Sequence, residues 1–265
     1  MEQTVQKALN LLEALVRSGQ PRRLTELARQ LGLTKPNVYR LLSTLTILGY
    51  VKKDPETSLY SPTLKLWEMG SMLVRDVDLV AVAAPRLRRL AEESRESVQL
   101  AVFDGGFAVY VDKVDSPQPL KAITSIGTRV PASVTSTGKA LLAWMPSEAL
   151  DAAFQHVKRY TPATLTRRKD IERDLEETRL RGYAINRGEF RPGVCGIAVP
   201  VRDRSGGVVA AIGIWGGEAG ILGSRREELA HMAMIAARDV SRDLGFIDAA
   251  AATPAEVNAQ ETAVA

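Results

Sequence analysis

Three helical patterns in the first 48 residues, with a glycine between the second and the third, constrain the fold more than any other feature of the sequence. Apolar residues recur every three or four positions in the segments 3–18, 24–31 and 35–48. Gly32 suits a tight turn after the second helix. Pro36 is tolerated in the first turn of the third helix because its missing N–H would be unpaired there, and Thr34 is the predicted N-cap. This arrangement predicts a helix-turn-helix.

A short hairpin is predicted to follow these helices. The segments 50–53 and 59–61 flank an Asp-Pro turn and have the pattern of two short strands. A hairpin directly after a helix-turn-helix forms a wing, so residues 1–63 are predicted to form a winged helix-turn-helix domain. In such a domain the helix after the turn enters the major groove of DNA, and its first turns contact base edges.

Polar side chains of the third helix suit base edges. Arg and Lys match the acceptors of guanine, and Asn matches adenine. Basic residues before the second helix and on the hairpin suit backbone phosphates. The candidate DNA-contacting residues are Arg22, Arg23, Thr34, Lys35, Pro36, Asn37, Tyr39, Arg40, Thr44, Lys52 and Lys53. The alternative is a plain three-helix bundle with solvated charges. A separate alternative concerns Tyr39 alone, which would pack against the bundle instead of contacting DNA.

The distribution of charge favours the DNA interpretation. Residues 1–62 contain nine Lys and Arg against five Asp and Glu, whereas the remainder contains 26 of each sign, so the net charge of +4 lies entirely in the first quarter. A basic domain beside a neutral one is typical of phosphate binding. A single cysteine excludes an intramolecular disulfide, and no segment resembles a secretory signal or a span of about 20 apolar residues. A cytoplasmic protein without membrane contact is expected.

The remaining chain alternates helical and strand patterns. Residues 64–78 are predicted to form a linker helix, 79–247 a regulatory domain, and the Ala-rich segment 248–265 a disordered tail. The predicted helices of the regulatory domain are Leu79–Ser94, Ser136–Met145, Ser147–Phe154, Asp170–Arg181 and 224–244. The predicted strands are Val98–Phe103, Phe107–Val114, Leu120–Ile123, Tyr183–Arg187, Val194–Arg202 and Val208–Trp215. Helices flanking a mostly antiparallel sheet give an α+β fold.

Several blocks of sequence resemble the IclR family of bacterial transcriptional regulators. They are Ala8–Leu12, Leu24–Ala28, Leu33–Leu42, Leu48–Val51, Ser133–Ala143, Glu189–Val201 and Ala210–Gly216. The resemblance implies a GAF-like effector domain with a buried pocket. It also implies a homodimer, or a dimer of dimers, on a palindromic operator. Such regulators commonly repress catabolic operons and respond to small carboxylates, including aromatic acids.

The effector site is predicted at the start of a helix. Unpaired N–H groups and the helix dipole favour an anion there, and the hydroxyls of Ser136 and Thr137 add donors. Gly138 permits close approach of the backbone. The positions that the resemblance carries over, together with these three, give the predicted effector-binding set: Ala122, Ser136, Thr137, Gly138, Asn186, Gly196, Gly213 and Trp215.

This set departs from the family pattern at four positions. Family members often have an acidic residue in place of Asn186, Cys in place of Gly196, and small hydroxyl residues in place of Gly213 and Trp215. The cysteine here is one residue earlier, and Cys195 is therefore expected on the opposite face of its strand, outside the pocket. These departures disfavour glyoxylate and pyruvate. An aromatic or larger apolar acid is expected, with Trp215 as a wall and the two glycines leaving space.

Two other classes of protein remain as alternatives. One is an enzyme with an appended DNA-binding domain, and the other is a DNA-binding protein whose second domain only oligomerises. The sequence contains no P-loop, no G-x-S-x-G elbow and no zinc-type spacing of His and Cys. No catalytic residue, metal site or cofactor is therefore predicted, and a ligand-controlled regulator is the favoured interpretation.

Overall fold

The computed structural model describes residues 3–69, 79–116 and 125–247. The chain divides into two compact units, Met1–Val77 and Asp78–Ala265. The predicted strand Leu120–Ile123, the predicted tail and most of the predicted linker helix lie outside the described residues, although 65–69 are helical. The finer division into a domain of residues 1–63, a linker and a domain of residues 79–247 stays a prediction.

The first unit is a three-helix bundle with a hairpin. Its elements are α1 (Gln3–Ser18), α2 (Leu24–Leu31), α3 (Lys35–Ile47), β1 (Val51–Lys53) and β2 (Tyr60–Pro62). The core contains Leu11, Leu15, Leu27, Val38 and Leu42, which are fully buried. These side chains lie at helical spacing in three separate segments, so the apolar periodicity alone places the three helices around one core. The predicted helices and wing are confirmed.

The turn between α2 and α3 depends on Gly32. This residue has φ of +64°, in the left-handed region where glycine is favoured, and its N–H closes the end of α2. Thr34 occupies the N-cap position of α3, but its side chain makes no capping hydrogen bond, so that predicted contact is wrong. Its hydroxyl is free to point away from the helix.

The second unit contains a six-stranded antiparallel sheet and six helices among its described residues. Its helices are α4 (Leu79–Ser94), α5 (Ser136–Leu142), α6 (Ser147–Phe154), α7 (Arg168–Arg181), α8 (Glu218–Leu222) and α9 (Arg226–Asp243). Its strands are β3 (Ser97–Asp104), β4 (Phe107–Val114), β5 (Arg129–Pro131), β6 (Ala184–Arg187), β7 (Val194–Arg202) and β8 (Val208–Gly217). The strand order is β5-β4-β3-β8-β7-β6. The predicted α+β class is confirmed, with a helix-turn-helix unit before an antiparallel-sheet unit.

Several boundaries differ from the predictions. The helix predicted over Ser136–Met145 ends at Leu142, and the sequence patterns missed β5 and the one-turn helix α8. Both missed elements are too short to show a period. The turn between β3 and β4 contains only Gly105 and Gly106, whose φ angles of 54° and 91° match the tight hairpin turns that require positive φ.

The two faces of the sheet are chemically different. One face carries large aliphatic side chains, such as Leu100, Ile197 and Ile212, and packs against α4 and α9. The opposite face carries small residues, including Ala101, Ala184, Ala198 and Ala211, and packs against α5. The large and the small residues alternate along each strand, because successive side chains point to opposite faces of the sheet. The small-residue face is where a helix end can come close to the sheet.

Candidate DNA-binding surface and ligand cavity

The exposed side of α3 carries the predicted base-contacting residues. Val38, Leu42 and Leu45 face the bundle core. Lys35, Pro36, Asn37, Tyr39, Arg40 and Thr44 are all exposed. Tyr39 has 58% of its surface exposed, so the alternative that it packs against the bundle is wrong. Ile47, 85% exposed on the same helix, is an apolar candidate that the sequence patterns missed. Apolar side chains recognise the methyl group of thymine.

Arg22 and Arg23 have different surroundings. The backbone of Arg22 exchanges two hydrogen bonds of 2.9 Å with Tyr60 and so joins the hairpin to the bundle. Its guanidinium lies 2.7 Å from the carboxylate of Glu26, and this hydrogen bond lowers the pKa of Glu26. Arg23 is exposed at the start of α2. The structure therefore gives Arg22 a local partner in addition to its predicted phosphate contact.

The wing presents two cations. Lys52 and Lys53 are both exposed on β1. The ammonium of Lys53 lies 5.8 Å from the centre of the Tyr60 ring, which orients the side chain along the hairpin. Neither lysine has an ion pair with another described residue. Both are free to approach an external anion.

A cavity of about 130 Å³ lies on the small-residue face of the sheet in the second unit. Trp215, Tyr110 and Phe190 contribute aromatic walls, and Thr135 and Ser136 contribute the start of α5. An apolar cavity of about 150 Å³ accommodates a benzene-sized ligand. The cavity therefore has room for one small aromatic or branched molecule.

Half of the predicted effector-binding set lines this cavity. Ser136, Asn186, Gly196 and Trp215 are lining residues, whereas Thr137, Gly138 and Gly213 are not. Ala122 lies outside the described residues. The register of the sheet brings three of the lining residues together, because Asn186 is paired with Gly196, and Gly196 with Trp215.

The glycines have a different role from the predicted one. A Cβ atom on Gly213 would lie 2.6 Å from the Thr137 side chain, and one on Gly196 would lie 2.7 Å from Ser136 Oγ. A Cβ on Gly138 would collide with the backbone of Ala132. The space above the strand glycines is thus already filled by α5, and the prediction that they leave space for a ligand is wrong. They allow the helix to pack directly on the sheet.

Asn186 uses its amide to hold the chain beside the cavity. Its Nδ2 donates to the carbonyl of Val134 at 2.7 Å, and its Oδ1 accepts from the N–H groups of Gly188 and Glu189 at 2.8 and 3.2 Å. The segment 188–193 then leads into Phe190 and Arg191, which line the cavity. Asn186 therefore supports the rim as well as forming part of the wall.

Gln99, Tyr110 and Arg191 are among the polar residues of the cavity that the sequence patterns missed. Gln99 is 4% exposed, and its Oε1 has no hydrogen-bond partner. Burial raises the pKa of the neighbouring Tyr110 phenol, while hydrogen bonds with Gln99 and Thr137 partly oppose that shift. Arg191 is an exposed cation at the rim, without an ion pair among the described residues. Their distant sequence positions carried no common signal, because strand pairing alone brings them together.

Cys195 corrects another expectation. It is among the lining residues, so the prediction that it lies outside the pocket is wrong. It is nevertheless 2% exposed and packs in the aliphatic core, so its predicted place on the opposite face of the strand from Gly196 is confirmed. Burial, reinforced by the charges of Glu218 and Glu189, raises the pKa of the thiol to about 11. A thiol with this pKa is protonated at neutral pH and is a poor nucleophile.

A buried cation joins α5 to the rim of the cavity. Lys139 is 1% exposed, and its ammonium lies 2.7 Å from Glu189 Oε1 and 2.8 Å from Asp174 Oδ2. It also donates to the carbonyl of Ile185 at 3.0 Å. Two of its donors therefore meet acceptors from β6 and the rim segment, and the Asp174 carboxylate of α7 adds an ion pair without a hydrogen bond. The apolar sequence around Lys139 was the only available hint of its burial.

Both parts of the chain match models of one protein family. Residues 4–55 match the model of the IclR helix-turn-helix domain, and residues 71–242 match the model described as bacterial transcriptional regulator IclR C-terminal. The chain is 35% identical to the HTH-type transcriptional regulator KdgR of Escherichia coli over 249 residues, covering 92% of this chain and 94% of that protein. It is 32% identical to the acetate operon repressor of Salmonella typhimurium over 247 residues, covering 92% and 90%.

A solved structure from the same family has a similar fold. The crystal structure of the IclR protein of Thermotoga maritima superposes with a TM-score of 0.78 at 29% identity, covering 93% of this chain and all of that one. The matched families and these relatives are transcriptional regulators rather than enzymes. In the described part of the chain, no helix is long and apolar enough to cross a membrane. Nor do the described residues contain a group of three or more potential metal ligands.

Proposed function

Because this chain belongs to the IclR family of DNA-binding bacterial transcriptional regulators, we propose that it is a repressor controlled by a small organic acid. The acid binds in the cavity of the second unit, and the first unit binds an operator. The regulated genes form a catabolic operon, and the protein acts in the cytoplasm, where bacterial DNA lies. The observation that carries the effector part of the proposal is the cavity between the sheet and the start of α5.

The operator is contacted by the exposed side of α3 and by the wing. Lys35, Asn37, Tyr39 and Arg40 approach base edges, with Thr34, Pro36 and Thr44 beside them, while Arg22, Arg23, Lys52 and Lys53 approach phosphates. A palindromic operator is read by a homodimer or a dimer of dimers, with half-sites about 34 Å apart. An apolar stripe of α1, formed by Val5, Leu9 and Val16, each at least half exposed, supports pairing of two chains.

The effector is an acid with an apolar or aromatic body. Trp215 and Phe190 provide flat apolar walls, and Arg191 provides a positive charge at the rim. The N–H of Gly138 donates to Thr135 Oγ1, whereas the N–H groups of Ser136 and Thr137 lack partners within the helix, so these two favour a carboxylate beside Ser136. Thr137, Gly138 and Gly213 act by positioning the helix end, and the proposed effector-binding set also includes Ala122. Gln99 Oε1 offers an acceptor to a hydroxyl group of the ligand.

Control of DNA binding follows from differential affinity. A ligand that binds one arrangement of the protein more tightly than another shifts the population toward that arrangement. If the favoured arrangement separates the two α3 helices by a few ångströms from the half-site spacing, contacts are lost in both half-sites. The acid therefore lowers the affinity of the protein for the operator without contacting DNA.

A thermal-shift screen of the full chain against aliphatic and aromatic carboxylates tests this proposal. An acid at about a hundred times its dissociation constant stabilises the folded state by about 2.7 kcal/mol. Trp215→Ala should abolish the shift, whereas Trp67→Ala, which removes an exposed tryptophan of the first unit, should retain it. A bound acid should also release an operator duplex in a binding assay.

The outcomes separate the remaining classes of protein. Stabilisation by one class of acid, lost in Trp215→Ala, supports the proposed effector. No stabilisation by any acid, together with intact DNA binding, would favour a second unit that only oligomerises. The open cavity argues against that alternative, because its own side chains do not fill it.

A further inference from the structure

A surface hollow of the first unit lies between α1 and one side of α3. Its lining residues are Thr4, Lys7, Asn37, Arg40, Leu41 and Thr44. The four residues from α3 have the spacing i, i+3, i+4 and i+7 and therefore share one side of that helix. Lys7 comes from a different helix, about 30 positions earlier in the chain. The fold thus places a cation of α1 beside residues proposed to recognise DNA.

The position of this hollow relative to the exposed side of α3 follows from helix geometry. Arg40 lies near the centre of the exposed side, opposite the buried Val38, Leu42 and Leu45. With about 100° per residue, Thr44 and Asn37 lie roughly 40° and 60° from Arg40 in the same direction. Both border the hollow that Lys7 lines. Lys7 is therefore a neighbour of the flank of the recognition surface, not of its centre.

The surroundings of Lys7 leave its charge available. The residue is half-buried and lines the hollow, a position in which a lysine packs its aliphatic stem against the protein and keeps its ammonium in solvent. Within residues 3–69, 79–116 and 125–247 it has no ion pair, and the described first turn of α1 has no acidic residue. Arg17, at the other end of α1, lies 3.4 Å from the carboxylate of Glu13. The two ends of one helix thus offer a free and a paired cation.

From this placement we infer that Lys7 contacts a DNA backbone phosphate at the edge of the groove that receives α3. The inference rests on the proposed role of α3 as the recognition helix. The major groove is about 12 Å wide, and an α-helix with its side chains is about 10–12 Å across. A cation just beyond the flank of that helix therefore meets the phosphate wall of the groove rather than a base edge. Binding there releases condensed counterions.

Salt-dependent binding of the full-length variant Lys7→Gln tests the inference. The probes are a duplex that the wild-type protein selects from a random pool and an unrelated duplex of the same length. Each lost phosphate contact should reduce the slope of log K against log salt by about 0.9 per bound subunit. Affinity near 0.1 M salt should fall roughly five- to tenfold per bound subunit for both duplexes. Arg17→Gln, the matched change on the same helix, should alter neither quantity.

Three further measurements make the result decisive. Lys7→Arg should retain the wild-type slope, and the circular dichroism and unfolding midpoint of Lys7→Gln should match those of the wild type. An unchanged salt slope in Lys7→Gln overturns the inference, and so does a loss confined to the selected duplex. Arg40→Ala, measured alongside, separates the two failures. If Arg40→Ala retains full sequence selectivity, the proposed recognition helix is wrong. If it loses selectivity while Lys7→Gln is silent, only the phosphate contact is wrong.

Discussion

The cations of the DNA-binding surface in the first unit and the buried lysine of the second unit have opposite surroundings. On α3 and the wing, Lys35, Arg40 and Lys53 are exposed and have no ion pair with another described residue. In the second unit, Lys139 is 1% exposed and lies within 2.8 Å of two carboxylates. The exposed cations can therefore bind an external anion, whereas the charge of Lys139 is neutralised by carboxylates inside the fold.

The difference has a simple electrostatic origin. An exposed cation keeps its hydration and needs no protein partner, so a surface of such cations is stable until a polyanion replaces the counterions around it. A buried ammonium loses that hydration and requires both opposite charge and hydrogen bonds. Burial together with pairing therefore distinguishes Lys139, which stabilises the fold, from the exposed cations of α3 and the wing.

Removing the charge of Lys139 should have the largest effect on stability. Lys139→Met retains an apolar side chain of similar length but leaves Glu189 and Asp174 buried without their partner. The free energy of unfolding of the second unit should fall by about 3–5 kcal/mol, as measured by urea denaturation. Lys169→Met, at an exposed position on α7, should change it by less than about 0.5 kcal/mol. Equal stability of the two variants would contradict the proposed stabilising role of the buried Lys139 ion pairs.

Removing an exposed cation should affect DNA binding instead. Arg40→Ala should weaken binding to a selected operator duplex by about 1–3 kcal/mol and relax its sequence selectivity, because a base contact is lost. Lys53→Ala, on the wing, should weaken binding to all duplexes alike and flatten the salt slope by about 0.9 per subunit. Gel-shift titrations at several salt concentrations measure both. The same slope and selectivity in the two variants would contradict the separate roles of α3 and the wing.

Glu96 is a buried charged group without an ion pair among the described residues, and it therefore provides a contrast to the paired Lys139. It is 7% exposed, lies against Gly216 and Gly220, and makes no side-chain hydrogen bond or ion pair in the described part of the chain. Burial raises its pKa above the ordinary 4.5, while the charge of Arg225 opposes the shift. As pH rises above 4.5 the unfolded chain ionises first, so the folded state loses stability through the raised pKa.

The isosteric change Glu96→Gln should therefore stabilise the protein at neutral pH. The gain should be present at neutral pH and should shrink as the pH falls below the ordinary pKa of 4.5, because Glu96 then becomes protonated in both states. Thermal unfolding of the two proteins across that pH range measures the difference. A gain that persists unchanged at acidic pH would show that charge is not its cause.

The recognition surface was more predictable than the cavity. The residues of α3 lie within one short segment, so helical period alone separates the core side from the exposed side. The cavity combines Gln99, Tyr110, Asn186 and Trp215, which only the register of the sheet brings together. The family resemblance supplied two of these positions, Asn186 and Trp215, but it did not reveal that α5 already fills the space above Gly196 and Gly213.

The amino-acid sequence by itself determined the helix-turn-helix, the wing, most strands of the second unit and the family to which the chain belongs. These features depend on local period, turn residues and ordered motifs, which are properties of contiguous segments. Only the tertiary structure decided the pairing of Lys139, the lining of the cavity by Cys195 and the place of Lys7 beside α3. Those features depend on distances between residues far apart in the chain, and strand register and helix packing determine such distances.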